Sequence, residues 1–207
     1  MRIEEMTTSD LRETALYHDT VLLTAGGIRT HKSHLPLGTS WFILRKIRDQ
    51  IEKSLGGRIL TFPLWPIDVH GEEEAMMTIS NEALRDLFTS TKRQIADRLP
   101  LRYALLLCDS EAKEQAFLDA FSGSDILCDT FVWWRDGLQL DLSSYVLSGE
   151  QDTSILLSFA KGLIDWEEKS AQVPPVKTAT SGVGESYLLR IYEQFQQKIE
   201  RLWQQKY

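Results

Sequence analysis

Cysteine is scarce, with Cys108 and Cys128 the only two in 207 residues. Two thiols in apolar, strand-like segments supply neither a disulfide framework nor a thiolate metal knuckle, and they suit a reducing cytoplasm. No apolar stretch approaches the ~20 residues that cross a bilayer. The N-terminal MRIEEMTTSDLRE carries acids where a secretory signal needs an apolar core, so no leader and no membrane contact are expected. Clustered base is missing too. The formal charge is −7 and the pI near 5.2, which excludes a general nucleic-acid binder, because neutralising phosphates takes grouped Lys and Arg. Arg45, Lys46 and Arg48 share a helical stretch with acids and read as a solvated face. Internal repeats, low-complexity tracts and a Gly-x-Ser-x-Gly nucleophile elbow are absent. Gly182-x-Gly184 is too short for a dinucleotide loop and comes after a long loop instead of a strand.

What is present is an ordinary globular balance, 43% hydrophobic and 26% charged, in a length that suits one domain over 1–207. Strand and helix signals alternate, which predicts a three-layer α/β fold with a mostly parallel sheet. Strands are expected at Thr20–Thr24, Arg58–Trp65 (with Pro63 pushing its end to an edge), Tyr103–Cys108 and Ile126–Trp134. Helices are expected over Ser40–Leu55, stopped by Gly56–Gly57, from an N-cap at Ser80 through Arg98, after Asp109 or Ser110 as far as Gly123, and over Thr153–Leu163. Asp136–Gly137 signals a turn with a short hairpin after it. Residues 170–182 read as a loop, and Glu185–Gln204 as a last helix whose seam is Leu188, Tyr192, Phe195, Ile199 and Leu202.

The most informative stretch is GIRTHKSHLPLGTS, residues 27–40, directly after a strand. His31 and His34 beside a sheet's carboxyl end offer two imidazoles to a metal, though hydrogen bonding is the commoner use of such residues. The densest acidic cluster is Asp68, His70, Glu72, Glu73 and Glu74, favoured as a solvated loop. Asp109 and Glu111 either face the same crevice or, as favoured, cap a helix and complement its dipole. Cys108 ends a strand with no base paired to it and reads as a buried thiol. Of Trp133 and Trp134, one is expected to face the crevice and the other the core.

His34–Thr39, reading HLPLGT, resembles the signature loop of the creatininase (creatinine amidohydrolase) family letter for letter, and His31 falls on that family's first metal-binding His. Three further blocks come downstream in order. One is the place after Leu107, where relatives carry Asn-Gly-His and this chain reads Cys108-Asp109-Ser110-Glu111. Another is Ser148–Ser154, which resembles His-Ala-Gly-Glu-x-Glu-Thr-Ser. The last is Ser181–Ser186, which resembles the lead-in to the family's terminal helix. Scaffold letters persist: Pro36, Gly38, Thr39, Gly149, Thr153, Ser154, Gly182 and Gly184. Chemical letters do not. Arg29 stands where the family has Glu, Ser40 where it has its bridging Asp, and Leu147 where it has a catalytic His.

The resemblance implies a creatininase-like fold, oligomerisation, and relatives in which two divalent ions share carboxylate and imidazole ligands. Paired dications need anionic oxygens around them, and Arg29 puts a permanent cation there. The preferred expectation is therefore a degenerate, non-catalytic member without cofactor, working as a homo-oligomer or as a hetero-oligomeric partner of an active relative. One alternative is an amidohydrolase on a small cyclic or peptide-like amide, with Zn or Mn in a rebuilt site that draws on His31, His34 or His70. The other is a binding module for an anionic small molecule, using Arg29, His31, Lys32 and His34 with Ser40, Asp109, Glu111, Trp133, Trp134 and Glu150 around the crevice.

Overall fold

The computed structural model describes residues 1–55, 57–71, 75–141 and 144–205. Strands among them are β1 (Thr20–Ala25), β2 (Leu60–Trp65), β3 (Asp68–Val69), β4 (Thr78–Ile79), β5 (Tyr103–Cys108) and β6 (Leu127–Val132). Helices are α1 (Thr8–Thr14), α2 (Thr39–Leu55), α3 (Asn81–Ala96), α4 (Glu111–Phe121), α5 (Glu150–Ala160), α6 (Trp166–Ala171) and α7 (Ser181–Gln204). The main sheet is wholly parallel in the order β2-β1-β5-β6, and β3 and β4 pair as a separate small ribbon. Helices cover both faces, with α3 packed on α4, and α2 packed on α5 and α7.

Central position explains strand composition. β1 and β5 are buried along their whole length, as strands covered on both sides must be. The one polar hydroxyl at the start of β1, on Thr20, accepts from Trp203 Nε1 of α7 at 3.0 Å. β2 is an edge strand, and its exposed Pro63 lies where the pairing with β1 shifts register between Leu22 and Thr24. A residue without an N–H is tolerated at such a place. Beneath α3 and α4, Phe88 meets Phe117 edge-on at 5.4 Å and Phe117 lies 4.4 Å from Phe121. On the α7 side Phe131 meets Phe195 at 5.2 Å.

Several predicted boundaries are corrected. Among the described residues no hairpin comes after Asp136–Gly137; residues Trp133–Gly137 form a π-helical turn instead. Asp136 folds back to accept from Val132 N–H at 2.9 Å, and Arg135 binds Glu114 of α4 at 2.6 Å, so the chain ends β6 by docking on a helix. The expected helix Thr153–Leu163 begins at Glu150 and gives way to a 3-10 turn at Lys161. The stretch 170–182 is not all loop, since it holds the end of α6, a 3-10 turn at Val176–Thr178 and the start of α7. α7 starts four residues early because Thr180 caps it, accepting from Val183 N–H at 3.3 Å. Gly56 lies outside the described residues. No helix of the described chain is long and apolar enough to cross a membrane.

Candidate functional site at the strand ends

Because the four main strands run parallel, the segments after them meet along one edge of the sheet. Arg29 comes after β1, Asp68 comes after β2, Asp109 directly follows β5 and Lys113 lies four residues further, in the first turn of α4. Backbone pairing fixes Arg29, whose N–H donates to Leu37 O at 3.1 Å while the residue bridges Ala75. Its Nη2 donates to Asp68 Oδ1 in a very short contact and lies 3.5 Å from Asp109 Oδ2. Lys113 Nζ is 2.7 Å from Asp68 Oδ1 and 2.7 Å from Asp109 Oδ1. Two cations and two anions thus form one cluster, in which the Lys113 and Asp68 side chains are 0% exposed.

Local sequence makes this cluster possible. Asp109 sits just ahead of α4 and Lys113 in its first turn, and their i,i+4 spacing lets the two side chains meet. Asp109 Oδ2 also accepts from Gly27 N–H at 3.0 Å. A Cβ at Gly27 would sit 1.9 Å from Asp68 Oδ1, so only glycine admits the carboxylate.

Beside the cluster runs a network of hydroxyls and aromatics. His31 Nδ1 lies 2.7 Å from Ser148 Oγ, and Ser148 N–H donates to Asp152 Oδ2 at 2.7 Å. Tyr145 OH donates to Asp152 Oδ1 at 3.0 Å, and its ring stacks on Trp134 at 4.7 Å. Trp134 Nε1 in turn donates to Asp109 O at 3.0 Å, which links the network to the charged cluster. Thr153 gives its hydroxyl proton to Gly149 O at 2.7 Å, so at 2.9 Å His34 Nε2 is the donor to Thr153 Oγ1. Burial, and then the neighbouring Arg29, press His31 down to about 4, leaving a neutral imidazole near pH 7. Burial likewise lowers His34. Asp152 moves the other way, pushed up to about 7 by burial against the opposing Ser148 and Tyr145 hydrogen bonds.

The contact between His31 and Ser148 has the outline of a base and a nucleophile, and Ser148 adopts a positive φ of 58°. It lacks the properties of an activated pair. An imidazole that titrates near 4 is a weak base at neutral pH, Ser148 is 2% exposed, and no described carboxylate orients Nε2.

Metal fares no better. Among the described residues no three His, Cys, Asp or Glu side chains gather as a metal-holding group. Of the residues named for the alternative metal site, His31 Nδ1 contacts Ser148, His34 Nε2 contacts Thr153, and His70 is exposed. The strand-end carboxylates of Asp68 and Asp109 already hold a guanidinium and an ammonium. A divalent ion added there would meet two fixed positive charges within a few ångströms. The donor set does not fit a metal pair.

The expected crevice is reassembled in other respects. Asp68 is not part of a solvated loop, and Asp109 is not a cap; both are buried in the cluster, while Glu72, Glu73 and Glu74 lie outside the described residues. Lys32 is exposed, and Ser40 is buried in the first turn of α2. Glu111 faces out toward Arg135 at 3.6 Å, and Glu150 accepts from Tyr187 OH at 2.8 Å. None of these four joins the cluster's ion pairs among the described residues. Trp133 is fully buried in the core, and Trp134 borders the site. Cys108 is buried, its thiol pushed up chiefly by burial. Sequence reasoning gave no site role to Lys113, Tyr145, Ser148 or Asp152, although Ser148 and Asp152 lie in the block that resembles the family's His-Ala-Gly-Glu-x-Glu-Thr-Ser. Lys113 was legible, because it sits in the same buried stripe as Ala116, Phe117 and Ala120, where a lysine demands a partner.

No family model matches the chain, and no curated protein matches it. Solved structures do. A creatinine amidohydrolase (creatininase) superposes with a TM-score of 0.79 at 15% identity, over 99% of this chain and 98% of that one. The chain has the creatininase fold. A manganese creatininase gives 0.76 at 14% identity over 97% of each chain, and a creatininase variant of the Zn–Zn type gives 0.72 at 14% over 97% of each. A candidate creatinine amidohydrolase from Bacteroides fragilis NCTC 9343 gives 0.69 at 20% identity, over 100% of this chain and 97% of its own. Matches of this kind, spanning both partners end to end, make the creatininase fold a property of the whole chain. Those metals belong to those proteins.

Proposed function

We propose that this protein is a creatininase-fold subunit without the binuclear-metal amidohydrolase activity, serving as a non-catalytic partner or regulator of an active relative, in the cytoplasm. One observation carries the reading: the two described strand-end carboxylates, Asp68 and Asp109, are neutralised by Arg29 and Lys113 of the same chain. A buried cluster with its charges already matched has no call on a dication. It also discourages an anionic ligand, because the Arg29 guanidinium that would receive one is held by carboxylates.

The test is turnover and assembly measured together. Purified protein given Zn2+ or Mn2+ should hydrolyse neither creatinine nor a panel of small cyclic amides above the blank. Mixed with a metal-bearing relative from the same cell, it should run as one species with it and change that enzyme's kcat/KM. Metal-dependent turnover lost in His31→Ala would replace this reading with that of a rebuilt amidohydrolase.

A further inference from the structure

We infer that the outer edge of β6 is a strand-addition site that the chain holds closed with its own side chains, Asp129 and Asp136 clamped by Lys198. A second copy is thereby kept from extending the sheet, and assembly has to use the helical faces. The inference concerns the sheet edge and is independent of whether the protein is catalytic.

The main sheet has two outer strands, β2 and β6. On β2 the backbone itself closes the edge. Arg2 bridges Thr61 in parallel, Thr61 N–H donates to Met1 O at 2.8 Å, and Pro63 has no N–H to offer. Among the described residues no strand pairs with the outer side of β6, and an open trough of about 440 Å³ bordered by Asp129, Gln139, Gln194 and Lys198 runs beside it. Leu127 N–H donates to Arg102 O at 2.9 Å, and the parallel register with β5 is unbroken from there. Leu127, Asp129 and Phe131 therefore aim their backbone groups at β5, and Cys128, Thr130 and Val132 aim theirs outward. An outward row of this kind, on a strand rich in β-forming residues, is a template for another chain.

Two of the three outward N–H groups are already taken. Thr130 donates to Asp129 Oδ1 at 2.8 Å, and Val132 donates to Asp136 Oδ2 at 2.9 Å. Lys198 Nζ, reaching over from α7, lies 3.3 Å from each of these same two oxygens. Arg135 holds the other oxygen of Asp136 at 2.9 Å. The acids are thus strapped to the edge by a different element. An incoming strand has to displace both carboxylates, and pairing of β6 with β6 about a two-fold axis crowds the acids of both copies into one seam. The third outward N–H, on Cys128, receives no such side chain among the described residues, and it is where pairing could start.

Residue-resolved amide hydrogen exchange and sedimentation of the full chain test this. In the wild type the Thr130 and Val132 amides should exchange at least about tenfold more slowly than that of Cys128. Asp129→Ala/Asp136→Ala should associate further as concentration rises, to about twice the wild-type mass, with the Cys128 amide now protected in the associated form. Adding Cys128→Pro, which removes an outward N–H at a position where an edge strand tolerates proline, should return the mass to the wild-type value. Lys198→Ala leaves both acids in place but unclamped, and it should speed exchange at Thr130 and Val132 by about tenfold; it serves where the double variant is insoluble. A folded double variant that keeps the wild-type mass at every concentration overturns the inference. So does association that Cys128→Pro leaves unchanged, because the new contact then lies elsewhere. Equal exchange at Cys128, Thr130 and Val132 in the wild type, or exchange unaltered by Lys198→Ala, overturns the clamp itself.

Discussion

A lysine in the buried stripe of an amphipathic helix is costly to desolvate, and Lys113 is tolerated because Asp68 and Asp109 both touch it. The same pocket depends on what is missing at position 27. Gly27→Ala should destabilise the protein by about 3 kcal/mol, through collision with the Asp68 carboxylate and loosening of the cluster, as read by urea denaturation. A native-like midpoint for that variant would mean that Asp68 is not held as described. Asp152 gives a pH signature. Its carboxyl is raised from 3.8 to about 7 in the folded protein, chiefly by burial. Between those values the native state holds a proton that the unfolded chain has released, so this group's contribution to stability is full below about 4 and falls as pH rises to about 7. His31, lowered from 6.5 to about 4, has the opposite slope across nearly the same window, since its stability grows as pH rises. The difference in Tm between Asp152→Asn and wild type should therefore move in the variant's favour from pH 4.5 to pH 7.5. Parallel Tm curves would contradict the burial that raises Asp152.

At the scale of elements, α5 and α7 cross more closely than side chains normally allow. A Cβ at Gly184 would lie 1.8 Å from Ser154 O of α5, so Gly184→Ala should cost about 3 kcal/mol and shorten the native lifetime. Thr180→Ala removes only the cap of α7 and should cost about 1 kcal/mol. Circular dichroism melts of the two variants should rank in that order, and the reverse order would show that capping, not close packing, secures the terminal helix. This crossing matters to the site because α5 carries Asp152 and Thr153, the partners of the Ser148 and His34 contacts. Of the retained scaffold letters, Gly184 is thus accounted for by close packing, and Thr153 by its bonds to Gly149 O and His34 Nε2.

For the whole molecule, the creatininase fold and the charge cluster are separable. End-to-end superposition on creatininases at 14–15% identity shows that the backbone architecture persists at low sequence identity. The core explains the tolerance, since β1 and β5 bury apolar side chains on both faces whichever loops extend from their ends. Assembly is the matching expectation at this scale, with sedimentation giving a mass above the 23.8 kDa of one chain. A monomer that also ignores an active relative would remove the partner role.

The sequence by itself determined the layers. Continuous apolar runs at Tyr103–Cys108 and Thr20–Thr24, and helical seams between them, already imply a parallel sheet covered on both faces, because burial periodicity is a local property. HLPLGT and the blocks after it carried the likeness to creatininase, and Arg29 in place of an acid flagged the altered chemistry. What only the tertiary structure decided is which charges meet. Asp68 looked like part of a solvated loop, and Lys113, 45 residues away along the chain, showed only that a lysine in an apolar stripe needs some partner. Their pairing depends on strand order β2-β1-β5, which brings distant strand ends side by side, and no local pattern encodes which buried ion finds which partner.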